Sequence, residues 1–172
     1  RGGASRLDSV SLTSNGGPGV AVGPGGLVEL RACTFTSGAG LALEAADSVS
    51  VVLSRFATGA TAVAADSTPL LLRHNRFEDN QTALLVSGGP PLPAPVERNV
   101  FLRNALAIDN RTDTTVVAVA NYWGTSDSSA VAAQMQGPVR FMPLLTGEPD
   151  PTAVTATDSP PAAFALGAPY PN

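Results

Sequence analysis

Two stretches of this chain repeat one another position by position: Asn75-Arg76-Phe77-Glu78-Asp79-Asn80-Gln81-Thr82-Ala83-Leu84 and Asn99-Val100-Phe101-Leu102-Arg103-Asn104-Ala105-Leu106-Ala107-Ile108. In each, an Asn stands two residues before a Phe and a second Asn three residues after it. A small residue and an aliphatic one then follow as a pair. Aligning outward on the aromatic position gives Phe35, Phe56, Phe77, Phe101 and Trp123, spaced by 21, 21, 24 and 22 residues, with Leu12 a further 23 upstream. A fixed period of this size is the signature of a repeat architecture.

The register holds at other positions. Val28, Val49, Leu70, Ala94 and Val116 lie seven before the anchors, and Leu30, Val51, Leu72, Val96 and Ala118 lie five before. Such period-2 alternation puts these side chains on one face of a strand. Two before the anchors are Cys33, Ser54, Asn75, Asn99 and Asn121; three after them are Asn15, Gly38, Gly59, Asn80 and Asn104. The pairs Ala62-Val63, Ala83-Leu84 and Ala107-Ile108 recur in step, with Gly40-Leu41 and Gly19-Val20 displaced by one residue. Each unit reads as a long strand, a tight Asn or Gly turn, an aromatic anchor, a second turn, a short strand and a variable loop. In one unit the loop is lengthened by Pro90, Pro91, Pro93 and Pro95.

One such unit cannot bury its own apolar face, but stacked units can, each strand pairing in parallel with its equivalents at about 4.8 Å per coil. The expected fold class is therefore all-β: a right-handed parallel β-helix, a solenoid of about 5–6 coils and on the order of 25–30 Å tall. A helical repeat of similar length needs i, i+3, i+4 spacing in half of each unit, and no unit has it.

Composition agrees. Hydrophobic residues make up 44% of the 172, but aromatics only 5%, and much of the remainder is Ala. A core built this way is thin and repetitive. All ten basic residues are Arg, which fits a GC-rich bacterial genome, and the net charge is −4 with no basic stripe. Nucleic acid is not an expected partner, and no apolar run is long enough to span a bilayer. A signal peptide is expected upstream of Arg1. Cys33 is the only cysteine, which leaves no internal disulfide and no Cys-based zinc site.

The Asn-x-Phe-x-x-Asn-x-x-Ala-Ile/Leu units closely resemble the coil of the pectin-lyase-like β-helix superfamily. Asn121-Tyr122-Trp123-Gly124, followed by Val139-Arg140-Phe141-Met142-Pro143-Leu144-Leu145, looks like the segment that closes such helices. The resemblance covers about residues 7–145 and implies fold. The superfamily holds polysaccharide lyases, sugar hydrolases, epimerases, carbohydrate-binding modules and non-enzymatic surface proteins, so it implies no single chemistry. Phe164-Ala165-Leu166-Gly167-Ala168-Pro169-Tyr170-Pro171-Asn172 resembles the opening of the C-terminal sorting domain of type IX secretion substrates. The expected organisation is β-helix coils over 1–125, a closing segment over 126–147, an extended Pro/Thr/Asp-rich linker over 148–163 and the start of a sorting domain over 164–172. Export machinery is the partner that this tail implies, and a secreted or cell-surface location follows.

Among polar residues, Asn75, Asn99 and Asn121 read as a structural ladder between coils, beside the anchors Phe35, Phe56, Phe77, Phe101 and Trp123. Cys33 in the same slot reads as a small buried hydrophobe. His74, the only histidine, reads as an outward surface residue of the long strand, since its equivalents Leu53 and Arg98 offer no partner for base catalysis. Asp79 with Arg103, and Arg73 with Glu97, are expected as exposed ion pairs between neighbouring coils. Lyases and hydrolases of the superfamily carry clustered carboxylates, and here no two carboxylates are expected to share a strand position on adjacent coils. Glu44, Asp47, Asp66, Asp109 and Asp113 are placed in the loop before the next long strand. They read as solvated loop acids, with loose calcium binding as the competing reading. No catalytic residue, confident metal site or other cofactor is assigned. The expected role is a non-catalytic extracellular scaffold or carbohydrate-facing module of a larger exported bacterial protein, with polysaccharide as its ligand. The alternatives are the C-terminal part of a polysaccharide lyase or glycoside hydrolase whose active coils lie upstream, and a surface adhesin.

Overall fold

The computed structural model describes residues 4–13, 17–38, 40–89 and 95–150. The first coil comprises β1 (Ala4–Asp8), β2 (Ser11–Thr13) and β3 (Val20–Val22); the second, β4 (Leu27–Arg31), β5 (Thr34–Thr36) and β6 (Leu41–Glu44). The third holds β7 (Ser48–Val52), β8 (Arg55–Ala57) and β9 (Thr61–Asp66), and the fourth β10 (Leu70–Arg73), β11 (Arg76–Glu78) and β12 (Thr82–Ser87). The fifth holds β13 (Val96–Glu97), β14 (Val100–Leu102) and β15 (Leu106–Asn110). The last turn runs through β16 (Val116–Val117), helix α1 (Ser128–Ala132), β17 (Met135–Gln136) and β18 (Val139–Arg140).

Every pairing is parallel, and the strands sort into three sheets by their order within the coil: β1-β4-β7-β10-β13, β2-β5-β8-β11-β14 and β3-β6-β9-β12-β15-β17, with β16-β18 as a separate pair. The chain is an all-β parallel solenoid of about six turns. The one-residue slip predicted at Leu41 is present, since Leu41 pairs with Val63 rather than Ala62. Among the described residues no helix is long and apolar enough to cross a membrane.

Two features of the coil differ from expectation. The anchor is not in a turn but at the centre of a strand of its own, the three-residue β5, β8, β11 or β14. The strand expected to be short is six residues long in β9 and β12. Three residues flanked by two turns carry too little alternation to register as a strand. Of the described Asn and Gly residues expected to make the tight turns, moreover, only Gly38 lies in the left-handed region, at φ 86°. The corner residue in the left-handed region is Ala32, Leu53, His74, Arg98 or Ala120 after the first strand, and Ser37, Thr58, Asp79 or Arg103 after the second, with φ between 51° and 58°. The Asn is the next residue along, where its amide can brace the turn.

The interior is a set of columns. Leu30, Val49, Val51, Leu70 and Leu72 are fully buried on one wall. The anchors form the opposite column, with Leu12 beneath Phe35 in register. From Phe35 through Phe56, Phe77 and Phe101 to Trp123, successive rings stack 4.5, 5.1, 5.0 and 4.5 Å apart and within 12° of coplanar. Ring spacing matches the rise between parallel strands, so the sheet itself sets the stacking distance. The 128–132 helix is capped by Asp127, whose carboxylate accepts from the Ser129 amide (2.9 Å) and hydroxyl (2.6 Å), and it buries Val131 completely. Asn15, Pro90, Pro91, Pro93, Ala94 and the expected linker and sorting segment beyond Asp150 lie outside the described residues.

Candidate functional site

The polar chemistry of the interior is concentrated at the two corners. At the first, the Asn121 side-chain oxygen accepts from the Asn99 amide N–H (2.8 Å) and from Asn99 Nδ2 (3.1 Å). Asn99 does the same for Asn75, at 2.9 and 3.1 Å. Asn75 Oδ1 takes the Ser54 N–H at 2.9 Å, and Ser54 Oγ takes the Cys33 N–H at 3.1 Å. Each Asn Nδ2 also donates to a buried carbonyl: Asn75 to Val51, Asn99 to Leu72 and Asn121 to Val96, at 2.7, 2.9 and 2.7 Å. At the second corner Asn104 accepts from the Asn80 N–H and Nδ2, and Asn80 Oδ1 accepts from the Gly59 N–H. A corner takes its backbone groups out of the sheet pattern, and these amides satisfy them.

Outside the column, the face made by β8, β11 and β14 carries a charge network. Glu78 is 6% exposed and sits between two cations. Arg55 donates to its Oε1 from Nε (2.6 Å) and Nη2, and Arg76 Nε donates to Oε2 at 2.8 Å. Arg76 also reaches Glu148 at 2.8 Å. This cluster was not anticipated, although Arg55 and Arg76 both precede an anchor and stand in register. Burial pushes the Glu78 carboxyl up, but the hydrogen bonds from Arg76 and Arg55 outweigh it and hold the group below its ordinary value. A lowered carboxyl contributes stability above its ordinary pKa and loses it as pH falls through the folded one. The acid limb of the melting-temperature profile should therefore be shallower in Glu78→Gln, which should also melt lower than wild type at neutral pH. Parallel wild-type and variant curves down to acid pH would show that Glu78 plays no part in the acid response.

Neighbouring coils are also tied by Asp79 and Arg103, bidentate at 2.7 and 2.8 Å. The Arg103 hydrogen bonds hold the Asp79 carboxyl below its usual range. Arg73 Nη2 meets Glu97 Oε1 at 2.6 Å, but this pair is not exposed: the side chains retain 18% and 25% of their accessible surface. Arg73 is flanked by its neighbours in β7 and β13, which shield an outward side chain in mid-sheet.

His74 also departs from expectation. It occupies the left-handed corner position, not the strand, and is 8% exposed. The segment running from Leu145, whose N–H donates to the Asn121 carbonyl, to Glu148 passes alongside. Together they enclose a cavity of about 130 Å³ lined by His74, Arg76, Arg98, Val100, Glu148 and Pro149.

The acids placed in loops are distributed differently. Glu44 ends β6, Asp66 ends β9 and Asp109 is inside β15; Asp47 and Asp113 are in turns. Contrary to expectation, two carboxylates do share a strand position, for Glu44 and Asp66 are in register on neighbouring strands. The slip at Leu41 causes this, since it shifts β6 by one residue against a count taken from the anchors. Among the described residues neither has a basic partner, and Asp66 Oδ1 accepts only from the Ser67 hydroxyl, at 2.8 Å. They border a shallow hollow of about 250 Å³ floored by Ala21, Ala42 and Ala64. Asp109 belongs to the alanine row, paired with Leu85; it is 3% exposed and held at Oδ2 by Arg111. The five acids thus do not converge, and no group of three or more potential metal ligands occurs among the described residues.

Neighbouring strands are about 4.8 Å apart, a backbone spacing close to the carboxyl separation of a double-displacement glycosidase. The lining residues supply no His, Tyr or Arg to orient a sugar or share a proton, and the alanine floor offers contact surface alone. Compared with family models, with curated proteins and with solved structures, the chain matches none.

Proposed function

We propose that this chain is a non-catalytic scaffold module of a larger exported bacterial protein, presenting its flat outer faces to extracellular carbohydrate. The observation that carries this reading is how the polar side chains are used. Inside the coils, Asn75, Asn99, Asn121, Asn80 and Asn104 are committed to joining one turn to the next. Outside, Glu78, Asp79 and Glu97 are neutralised by arginines on the same or neighbouring coils. A column built this way is rigid and chemically quiet, which suits display better than turnover. Export and surface location are supported by the resemblance of Phe164–Asn172 to a type IX sorting sequence and by the Pro/Thr/Asp-rich stretch before it.

The competing reading, a lyase or hydrolase, has one specific observation in its favour, the Glu44–Asp66 pair without a basic partner. The purified chain should therefore be incubated with pectate, alginate and a panel of neutral polysaccharides, with and without calcium, and assayed for both retention and cleavage. Retention on at least one polymer without product is the expected result. Turnover abolished by Glu44→Gln, Asp66→Asn or Asp109→Asn would replace the scaffold with an enzyme, and absence of retention on every polymer would remove carbohydrate as the ligand.

A further inference from the structure

We propose that residues 145–150 form a releasable strap over the first corner, closed by the Arg76–Glu148 ion pair, and that its opening uncovers His74 while the coils stay folded. The course of the strap is fixed at two points. It begins at the last turn, where the Ala120 N–H donates to the Pro143 carbonyl and the Leu145 N–H to the Asn121 carbonyl at 2.8 Å. From there it runs back past Arg98 of the fifth coil to Arg76 of the fourth, whose Nη1 donates to Glu148 at 2.8 Å.

His74 records what the strap covers. The corner residues Ala32, Leu53, His74, Arg98 and Ala120 are equivalent by position, and all take the left-handed conformation. Ala32 and Arg98 are exposed, Leu53 and Ala120 are half-buried, and only His74 is buried. The coil alone would leave it as open as its equivalents, so the difference lies in what passes over it. Glu148 and Pro149 stand across the cavity from it.

The strap is lightly held. Arg76 and Glu148 keep 36% and 49% of their side-chain surface, so water and salt screen the pair. Thr146, Gly147, Glu148 and Asp150 are exposed, and the cavity of about 130 Å³ means that strap and corner do not close-pack. The coils beneath are joined instead by sheet bonds and the Asn ladder. A surface segment held in this way opens at a cost well below that of global unfolding. Opening takes the strap's carboxylates away from the corner and leaves His74 and Val100 beside Arg76 and Arg98, a cleft whose charged lining is basic.

The test is the rate at which diethyl pyrocarbonate modifies His74 in the full chain, as wild type, Arg76→Gln and Glu148→Gln. His74 is the only histidine, so the imidazole signal belongs to it alone. Both substitutions cut the pair but change the charge beside His74 in opposite directions. Acceleration common to both therefore reports opening rather than a change in ionisation. Arg76→Gln leaves Arg55 on Glu78, and Glu148→Gln alters the strap alone. We expect modification about two- to fivefold faster in each variant, with the urea midpoint of Glu148→Gln unchanged. Raising the salt from about 0.01 to about 1 M should speed the wild type by a similar factor and Glu148→Gln by less. Acceleration in neither variant or in one alone overturns the strap, as does acceleration matched by an equal loss of global stability. So does a wild type no more sensitive to salt than Glu148→Gln.

Discussion

Replacing Asn99 by Ala should destabilise the fold by about 3–5 kcal/mol, read as a lower urea midpoint at unchanged slope. The magnitude follows from the groups left behind. Asn99 Oδ1 accepts the buried N–H of Asn75, and its Nδ2 donates to the buried carbonyl of Leu72. Truncation orphans both, at about 1–3 kcal/mol each, and also removes one donor from Asn121 Oδ1. The position is 0% exposed, so the orphaned groups do not face bulk water. Ser54→Ala, in the same column, should cost clearly less, because it strands only the N–H of Cys33. A loss below about 1 kcal/mol for Asn99→Ala would mean that the corner satisfies its backbone some other way.

Phe77→Ala should be of similar size, about 3–5 kcal/mol, for a different reason. Phe77 is fully buried with a ring on either side, Phe56 at 5.1 Å and Phe101 at 5.0 Å. Its removal opens a void in mid-column that neither neighbour can fill, because each ring is tied to its own strand at the spacing of the sheet. Leu12→Ala, in the first described coil of the same column, should cost about 1–2 kcal/mol, since Leu12 is partly exposed. Equal costs at the two positions would mean that Leu12 is packed as completely as Phe77.

The columns were legible because each coil contributes one residue of one type to each of them. Phe35, Phe56, Phe77, Phe101 and Trp123 announce themselves by spacing, and Leu70 and Leu72 by alternation. What escaped was everything that depends on the path between the anchors. The strand centred on each anchor is too short to show a period. The left-handed corner residues have no common chemistry, being Ala, Leu, His and Arg at one corner alone. Their conformation is imposed by the stack, and no local propensity advertises it. For the same reason nothing in the sequence distinguishes His74, at φ 54°, from an outward residue of the strand before it. The Glu44–Asp66 pairing was hidden by the one-residue slip, and a slip of one is enough to change every side-chain neighbour in a strand. Arg55, Arg76 and Glu78 could have been found, for they flank the anchors in register and carry complementary charge.

The Asn column at the first corner is not uniform along its length. Two bonds join Asn121 to Asn99 and two join Asn99 to Asn75, but one joins Asn75 to Ser54 and one, at 3.1 Å, joins Ser54 to Cys33. Beyond Cys33 the thiol reaches the Leu7 carbonyl only at 3.6 Å. Under tension along the axis, as a tether held at one end would experience, the share of the load borne by this column is therefore uneven: smallest between the coils of Leu7 and Cys33 and largest between the Asn-bearing coils, where two amide bonds stretch together at each step.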